Sequence, residues 1–191
     1  MSKAQIKTPV STRDAILASA AELFVEKGFS GTSMSDLAEK LGLSKAAIYH
    51  HFESKENILR ELVKSTQVDL EKFVSHFESL SPSKVNRIEV LQTFAEFVFS
   101  HRKVVRLVLS EMPAEMRIHK PNRHQLMRRL QRLLGGEVQS AEEEMRARVA
   151  IGIIFTGLIP PPYEGIVNNN ESMIDLLVSI ASDALAITAK S

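Results

Sequence analysis

The 191-residue sequence contains no cysteine. A disulfide scaffold, a thiolate metal site and a cysteine nucleophile are thereby excluded, and the composition fits a reducing, cytoplasmic location. The first residues, Met-Ser-Lys-Ala-Gln-Ile-Lys, hold no apolar stretch of the signal-peptide kind. The longest nearly apolar run, Val149 to Ile159, is broken by Thr156 and falls short of the roughly 20 residues that cross a bilayer. No membrane partner is expected. Charge of one sign is also scarce, because 24 Lys and Arg face 23 Asp and Glu. Up to residue 60 the balance is 8 against 7, and beyond it 16 against 16. A protein that coats nucleic acid by charge alone would carry more. There is no HExxH pair, no glycine-rich phosphate cradle and no nucleophile–base–orienter signature. Neither β alternation nor an internal repeat is visible.

What is present is a soluble globular composition, 44% apolar and 25% charged. The length allows one large or two small domains. The sequence centres on residues 32–55, Thr-Ser-Met-Ser-Asp-Leu-Ala-Glu-Lys-Leu-Gly-Leu-Ser-Lys-Ala-Ala-Ile-Tyr-His-His-Phe-Glu-Ser-Lys. Ser33 can cap a helix and Asp36, three residues on, can reach back to it. Leu37, Ala38 and Leu41 form one apolar stripe, and Gly42 stops the helix. Ser44 caps a second short helix, whose Ile48 and Phe52 face back onto Leu37 and Leu41. Two helices joined by a tight glycine turn make a helix-turn-helix. Ser44, Lys45, Ala46, Ala47, Tyr49, His50 and His51 remain outward and include no acid. Cations and hydroxyls suit phosphates, and short side chains admit a backbone close to base edges. Lys45 with Ala46 and Ala47 is the expected base reader, Lys to guanine acceptors and Ala to thymine methyls.

The remaining pattern predicts an all-α fold of nine helices. Residues 1–10 read as a flexible arm. Helix 12–27 is capped by Ser11 and ended by Gly28. Helix 54–80 carries no Gly or Pro and reads as a rod of about 40 Å. Ser81-Pro82 reads as the start of helix 82–101. Helices follow at 103–112, stopped by Pro113, and at 122–134. Helix eight starts at Ser140, in a capping box with Glu143, and ends before Pro160. The last helix covers 171–189. A boundary near 53/54 is expected, with an N-terminal helix-turn-helix domain at 1–53 and a C-terminal helical domain at 54–191.

Several constellations stay open on residue chemistry alone. Phe73, Phe77, Phe94, Phe97, Leu107, Met112, Met116, Met127, Leu130 and Phe155 can be plain core or can line an apolar pocket. Glu115 and His119, four apart with His124 beyond, have metal-ligand spacing. Pro121 interrupts the helix they would need, so no metal and no cofactor is expected. Between Glu115 and Glu137 lie Arg117, Lys120, Arg123, Arg128, Arg129 and Arg132 without an acid. A solvated face is the first reading, an anion-attracting face the second. The last two helices hold more apolar positions than one buried face needs. Gly152, Gly157, Ala181 and Ala184 permit close helix crossings there.

Residues 28–59 resemble the DNA-binding domain of the TetR family of transcriptional regulators. The similarity runs from about residue 12 to 60, and Tyr49-His-His-Phe-Glu-Ser-Lys-Glu56 is its most specific part. Ala46 stands where many members carry Gly, and Ser33 where Thr is common. The resemblance implies DNA contacts from Thr32, Ser33, Ser44, Lys45, Ala46, Ala47, Tyr49, His50, His51 and Lys55, with Tyr49 and Lys55 on phosphates. It implies a ligand-binding and dimerisation domain behind them, with a homodimer through Ile151, Phe155, Leu158, Met173, Leu177, Ile180 and Ala184. The expected partners are a double-stranded operator, a second copy of the chain and an unidentified small-molecule effector. A repressor released by that effector is the leading reading. An architectural or cell-cycle DNA-binding protein without inducer is the second. A helical ligand-binding protein or enzyme with a vestigial helix-turn-helix is the third.

Overall fold

A computed structural model of the chain describes residues 11–81, 85–110, 121–135, 140–159 and 170–185. Among them are nine α-helices and no strand: α1 Thr12–Lys27, α2 Met34–Leu41, α3 Lys45–His51, α4 Lys55–Glu78, α5 Arg87–Ser100, α6 Arg102–Ser110, α7 Pro121–Gly135, α8 Ala141–Leu158 and α9 Asn170–Ala184. The all-α expectation holds, and most ends fall within a few residues of those predicted.

Local chemistry explains the ends. Ser11 accepts from the Asp14 amide and opens α1. Gly28, with φ of 77°, closes it, a backbone state that costs glycine little. Ser140 and Glu143 form the expected reciprocal capping box at α8. One start differs. The helix predicted from Pro82 begins only at Arg87, because Asn86 caps it by accepting from the Ile88 and Glu89 amides. A side-chain carbonyl satisfies two orphan donors there, which a proline at the first helical position cannot do. The arm 1–10, Met112, Pro113, Glu115, Met116 and His119 lie outside the described residues, as does the proposed end of the last helix at 189.

The described residues form two compact units. The first holds residues up to Ser65 with those of α6 from Leu107 onward. Its core is Ile16, Ala20, Phe24, Leu37, Ile48, Ile58 and Leu59, each almost wholly buried. Phe24 and Phe29 pack ring to ring at 5.1 Å.

The second unit holds Thr66 to Arg106 and the helices from α7 onward. Leu70, Val74 and Phe77 from α4 join Leu91, Phe94 and Val98 from α5, Leu126 and Leu130 from α7, Ile154 from α8 and Val178 from α9 in one core. Phe73, Phe94 and Phe97 stack with centroids 6.2–6.4 Å apart, and Phe155 meets Phe94 edge-on at 5.5 Å. Phe77 and Leu130 are buried and Met127 is half-buried against this core. Leu107, proposed with them, instead groups with the first unit. Arg129 of α7 clamps the far half of α4. Its guanidinium donates to Glu71 at 2.6 Å, to Glu78 at 2.6 Å and to Ser75 at 3.1 Å. The basic segment is thus partly a structural tie, while Arg128 and Arg132 are exposed. At Gly157 an added Cβ would stand 2.3 Å from Leu177 Cδ2, so α8 and α9 cross closely, as the small residues foretold.

Candidate nucleic-acid interface

The helix-turn-helix is built from α2, its turn and α3. Ser33 and Asp36 complete the capping box: the Ser33 amide donates to the Asp36 carboxylate at 2.8 Å, and the Asp36 amide to the Ser33 hydroxyl at 3.2 Å. Lys27, from the end of α1, donates to the same carboxylate at 2.6 Å. Hydrogen bonding to Lys27 first, and to Ser33 next, holds the Asp36 carboxyl well below the usual carboxylate range. The same pair raises Lys27 above its ordinary value. Gly42 takes the left-handed conformation, φ 64° and ψ 29°. The Leu43 amide then reaches back to the Ala38 carbonyl at 2.9 Å, which ends α2 and aims the chain into α3.

Ser44 caps α3 by accepting from the Ala47 amide at 3.1 Å. Ile48 and Phe52 turn inward and are buried, as is Leu37 opposite them. Arg13 lays its guanidinium 4.9 Å from the Phe52 ring and pairs with Glu61 at 3.2 Å. The opposite face of α3 is open. Lys45, Ala46, His50 and His51 are exposed, and Tyr49 is 53% exposed. Lys45 makes no hydrogen bond or ion pair among the described residues. The two histidine rings meet edge to face at 5.2 Å. No acid occurs between Glu39 and Glu53. The face therefore offers donors and small surfaces with no charge that would repel phosphate.

One sequence-nominated contact is placed elsewhere. Thr32 is a correction, because it is 2% exposed and its hydroxyl donates inward, 2.8 Å from the Gly28 carbonyl and 3.2 Å from that of Leu23. It braces the loop between α1 and α2. The Lys55 ammonium donates to the carbonyls of Phe29, Ser30 and Thr32. Lys40 is likewise tied, to Glu22 at 3.1 Å. Ser33 is exposed, but its hydroxyl serves Asp36. Sequence reading missed Lys27 and Arg13 as organisers of this surface. Their partners lie at Asp36, Phe52 and Glu61, and no local spacing announces contacts of that range.

Among the described residues no cluster of three potential metal ligands occurs. No described helix is long and apolar enough to cross a membrane.

Comparison with known proteins agrees with this geometry. Residues 16–62 match the family described as bacterial regulatory proteins, tetR family. The chain is 31% identical over 106 residues to IcaR of Staphylococcus aureus, a negative transcriptional regulator of the biofilm operon icaADBC. That match covers 54% of this chain and 56% of the relative, so the chain spans about half the length of that protein. It is 38% identical over 56 residues to the transcriptional repressor KstR2 of Mycolicibacterium smegmatis, covering 29% of this chain and 27% of the relative. In fold it is similar to a TerR/AcrR-family transcriptional regulator from Aquifex aeolicus, with a TM-score of 0.70 at 24% identity over 93% of this chain and 99% of that one. A helix-turn-helix of this geometry lies inside the segment that matches the family described as bacterial regulatory proteins, tetR family.

Proposed function

We propose that the chain is a sequence-specific DNA-binding repressor, acting as a homodimer and released from a near-palindromic operator by a small-molecule effector. Residues 1–53 form its DNA-binding domain and 54–191 its effector and dimerisation domain. The observation that carries this reading is the two-faced α3. One face is buried through Ile48, and the other offers Lys45, Ala46, Tyr49, His50 and His51. Tyr49 and the histidines supply phosphate donors, and Lys45 with Ala46 and the half-buried Ala47 reads base edges. The similarity to IcaR, a negative transcriptional regulator, and to KstR2, a transcriptional repressor, supports repression over activation.

The homodimer rests on α8 and α9. Ile151 and Leu158 belong to the chain's own core, and Phe155 and Leu177 pack against it. The stripe left outward is Met145, Val149, Gly152 and Thr156 on α8 with Leu176 and Ile180 on α9. No neighbour lies within 4 Å of a Cβ added at Gly152, so the stripe admits a close-approaching helix. Of the residues first assigned to the interface, Ile180 lies on this stripe, while Met173 and Ala184 are half-buried beside it. Such a surface is self-complementary about a two-fold axis. Two recognition helices roughly 34–36 Å apart, or a multiple, then meet successive major grooves.

Phe73, Phe77, Phe94, Phe97, Met127, Leu130 and Phe155 surround the proposed effector region, which suits an apolar or aromatic molecule. The test of the whole reading is selection of bound duplexes from a random pool. Recovery of a near-palindrome supports it. Recovery of no preferred sequence would show that α3 does not read DNA. A preferred site with no metabolite that releases it would favour an architectural role.

A further inference from the structure

His50 and His51 stand side by side at the end of α3. Both are exposed, and their rings meet edge to face with centroids 5.2 Å apart. Among the described residues neither ring makes a hydrogen bond or ion pair. Other histidines are placed differently. His101 lies between the Phe97 carbonyl at 3.0 Å and the Asp69 carboxylate at 3.3 Å, and His76 meets the Phe77 ring at 5.3 Å. Histidine is the side chain whose ordinary charge change falls between pH 5 and 8. Neutral, it offers one N–H and one acceptor; charged, it offers two donors and a cation.

Most of the charges flanking the pair are matched within the protein. On α1 and α2, Lys27 holds Asp36, and Lys40 holds Glu22 and approaches Glu26. Arg13 of α1 pairs with Glu61 of α4. Glu53, after α3, accepts from the Asn57 amide at 3.2 Å, and the Lys55 ammonium donates to backbone carbonyls. Glu39 and Glu56 lie outside the run 40–52, which holds no acid, and Lys45 and Tyr49 share the exposed face with the pair. Thus α3 supplies no carboxylate to balance an imidazolium. Two imidazolium charges 5.2 Å apart also repel one another. A phosphate backbone removes both handicaps. Its oxygens accept from the ring nitrogens, and its charge offsets the cations.

We propose that His50 and His51 are a proton-operated phosphate clamp: duplex binding draws protons onto the pair, and acid in turn tightens the hold on DNA. This rests on the reading of α3 as the recognition helix. The sign follows from linkage. Phosphate favours the charged ring, so the bound protein carries more protons than the free one. Affinity then rises as pH falls through the histidine range and levels off on either side of it. The gain in DNA affinity from protonation equals the gain in proton affinity from DNA. Because phosphates carry no sequence information, the gain falls on operator and random duplex alike. A repressor so built holds its operator more firmly as the cell acidifies.

Affinity is measured on the full-length protein by fluorescence anisotropy across the histidine range, about pH 5.5 to 8.5, at fixed ionic strength. The probes are the selected operator and random duplex, and the histidine ring signals are followed by NMR with and without duplex. The expected result is tighter binding to both duplexes in acid, roughly 10-fold for one charged histidine and roughly 100-fold for both. The salt slope should steepen by ~0.9 per histidine. Adding duplex at constant pH should move the His50 and His51 signals toward the charged form. His50→Gln with His51→Gln should flatten the pH profile, while His76→Gln, in the last turn of α4, keeps it. A wild-type affinity flat in pH would overturn the proposal. So would a wild-type profile in the double variant, or an acid gain confined to the operator. Should the double variant not fold, the single variants decide: a reduced acid gain in either one supports the clamp, and the full gain in both overturns it. Protein that binds no duplex at any pH fails the DNA-reading assignment itself. Sequence-selective binding with unresponsive histidine signals fails the clamp alone.

Discussion

Lys45 and Lys55 sit ten residues apart in different surroundings: Lys45 is exposed, and the Lys55 ammonium donates to backbone carbonyls. Lys45→Ala should therefore relax preference at one operator position at roughly 1–3 kcal/mol, measured by binding to single-base operator variants. Equal losses on operator and random DNA would remove Lys45 from base reading. Gly31→Ala meets main chain, not a movable side chain, because the new Cβ falls 2.3 Å from the Lys27 carbonyl oxygen. A loss of roughly 1–3 kcal/mol by chemical denaturation is expected. The Lys27–Asp36 pair sets a pH limit. Asp36 is depressed in the folded state, so its contribution is complete above the ordinary value of 3.8 and drains away as pH falls below it. Asp36→Asn should flatten the acid limb of the melting-temperature profile below about pH 4 and leave the neutral limb parallel to wild type. At this scale the sequence was legible at the helix caps and the glycine turn, whose partners lie a few residues apart. Ser33, Asp36, Gly42, Ser44, Ser140 and Glu143 all do what their spacing announces. The inward bonds of Lys55 were not legible because their carbonyl partners, Phe29, Ser30 and Thr32, lie 23 to 26 residues away, and that of Thr32 was missed although its nearer acceptor, Gly28, is only four residues back. A hydroxyl or an ammonium looks the same in sequence whether it faces water or a carbonyl.

Among elements, α8 and α9 show why apolar pattern alone could not choose an interface. Both carry apolar residues on more than one face, and only packing reveals that Ile151 and Leu158 point inward while Val149 and Ile180 do not. Val149 is 47% and Ile180 is 44% exposed. Charges placed there burden association without entering the chain's own core. Val149→Glu with Ile180→Glu should give a folded monomer by sedimentation with weakened operator binding, since unpaired charge in an apolar contact is costly. A folded dimer of the double variant would move the interface elsewhere. The clamp between α7 and α4 is a second case. Arg129 bridges Glu71, Ser75 and Glu78 at once, a reach that a lysine point charge lacks. Hydrogen bonding to Arg129 lowers Glu78. Arg129→Lys should cost about 1 kcal/mol, read as a fall of ~2–4 °C in Tm for a chain of this size. The run of arginines was legible as an element, but which of them is tied down was not.

For the whole molecule, the helices among the described residues were readable because most carry their own start and stop signals, and α5 begins at Arg87 because Asn86 caps it. An effector can change operator affinity only by preferring one state of the protein over another. Linkage then requires the operator to weaken effector binding by the same factor, typically 5–150-fold. Calorimetric titration of an effector found by thermal-shift screening, with and without operator, should show equal factors in both directions. Identical effector affinities in the two titrations would uncouple that site from DNA release. The shortest helix has the widest implication. Seven residues are too few to hold a helix alone in water, so α3 exists through Ser44, Ile48 and Phe52, all on its inner side or at its ends. Lys45, Ala46, Tyr49, His50 and His51 lie outside that buried hold. Single substitutions on the outer side can thus alter what α3 presents to a partner with little loss of foldedness to repair afterwards.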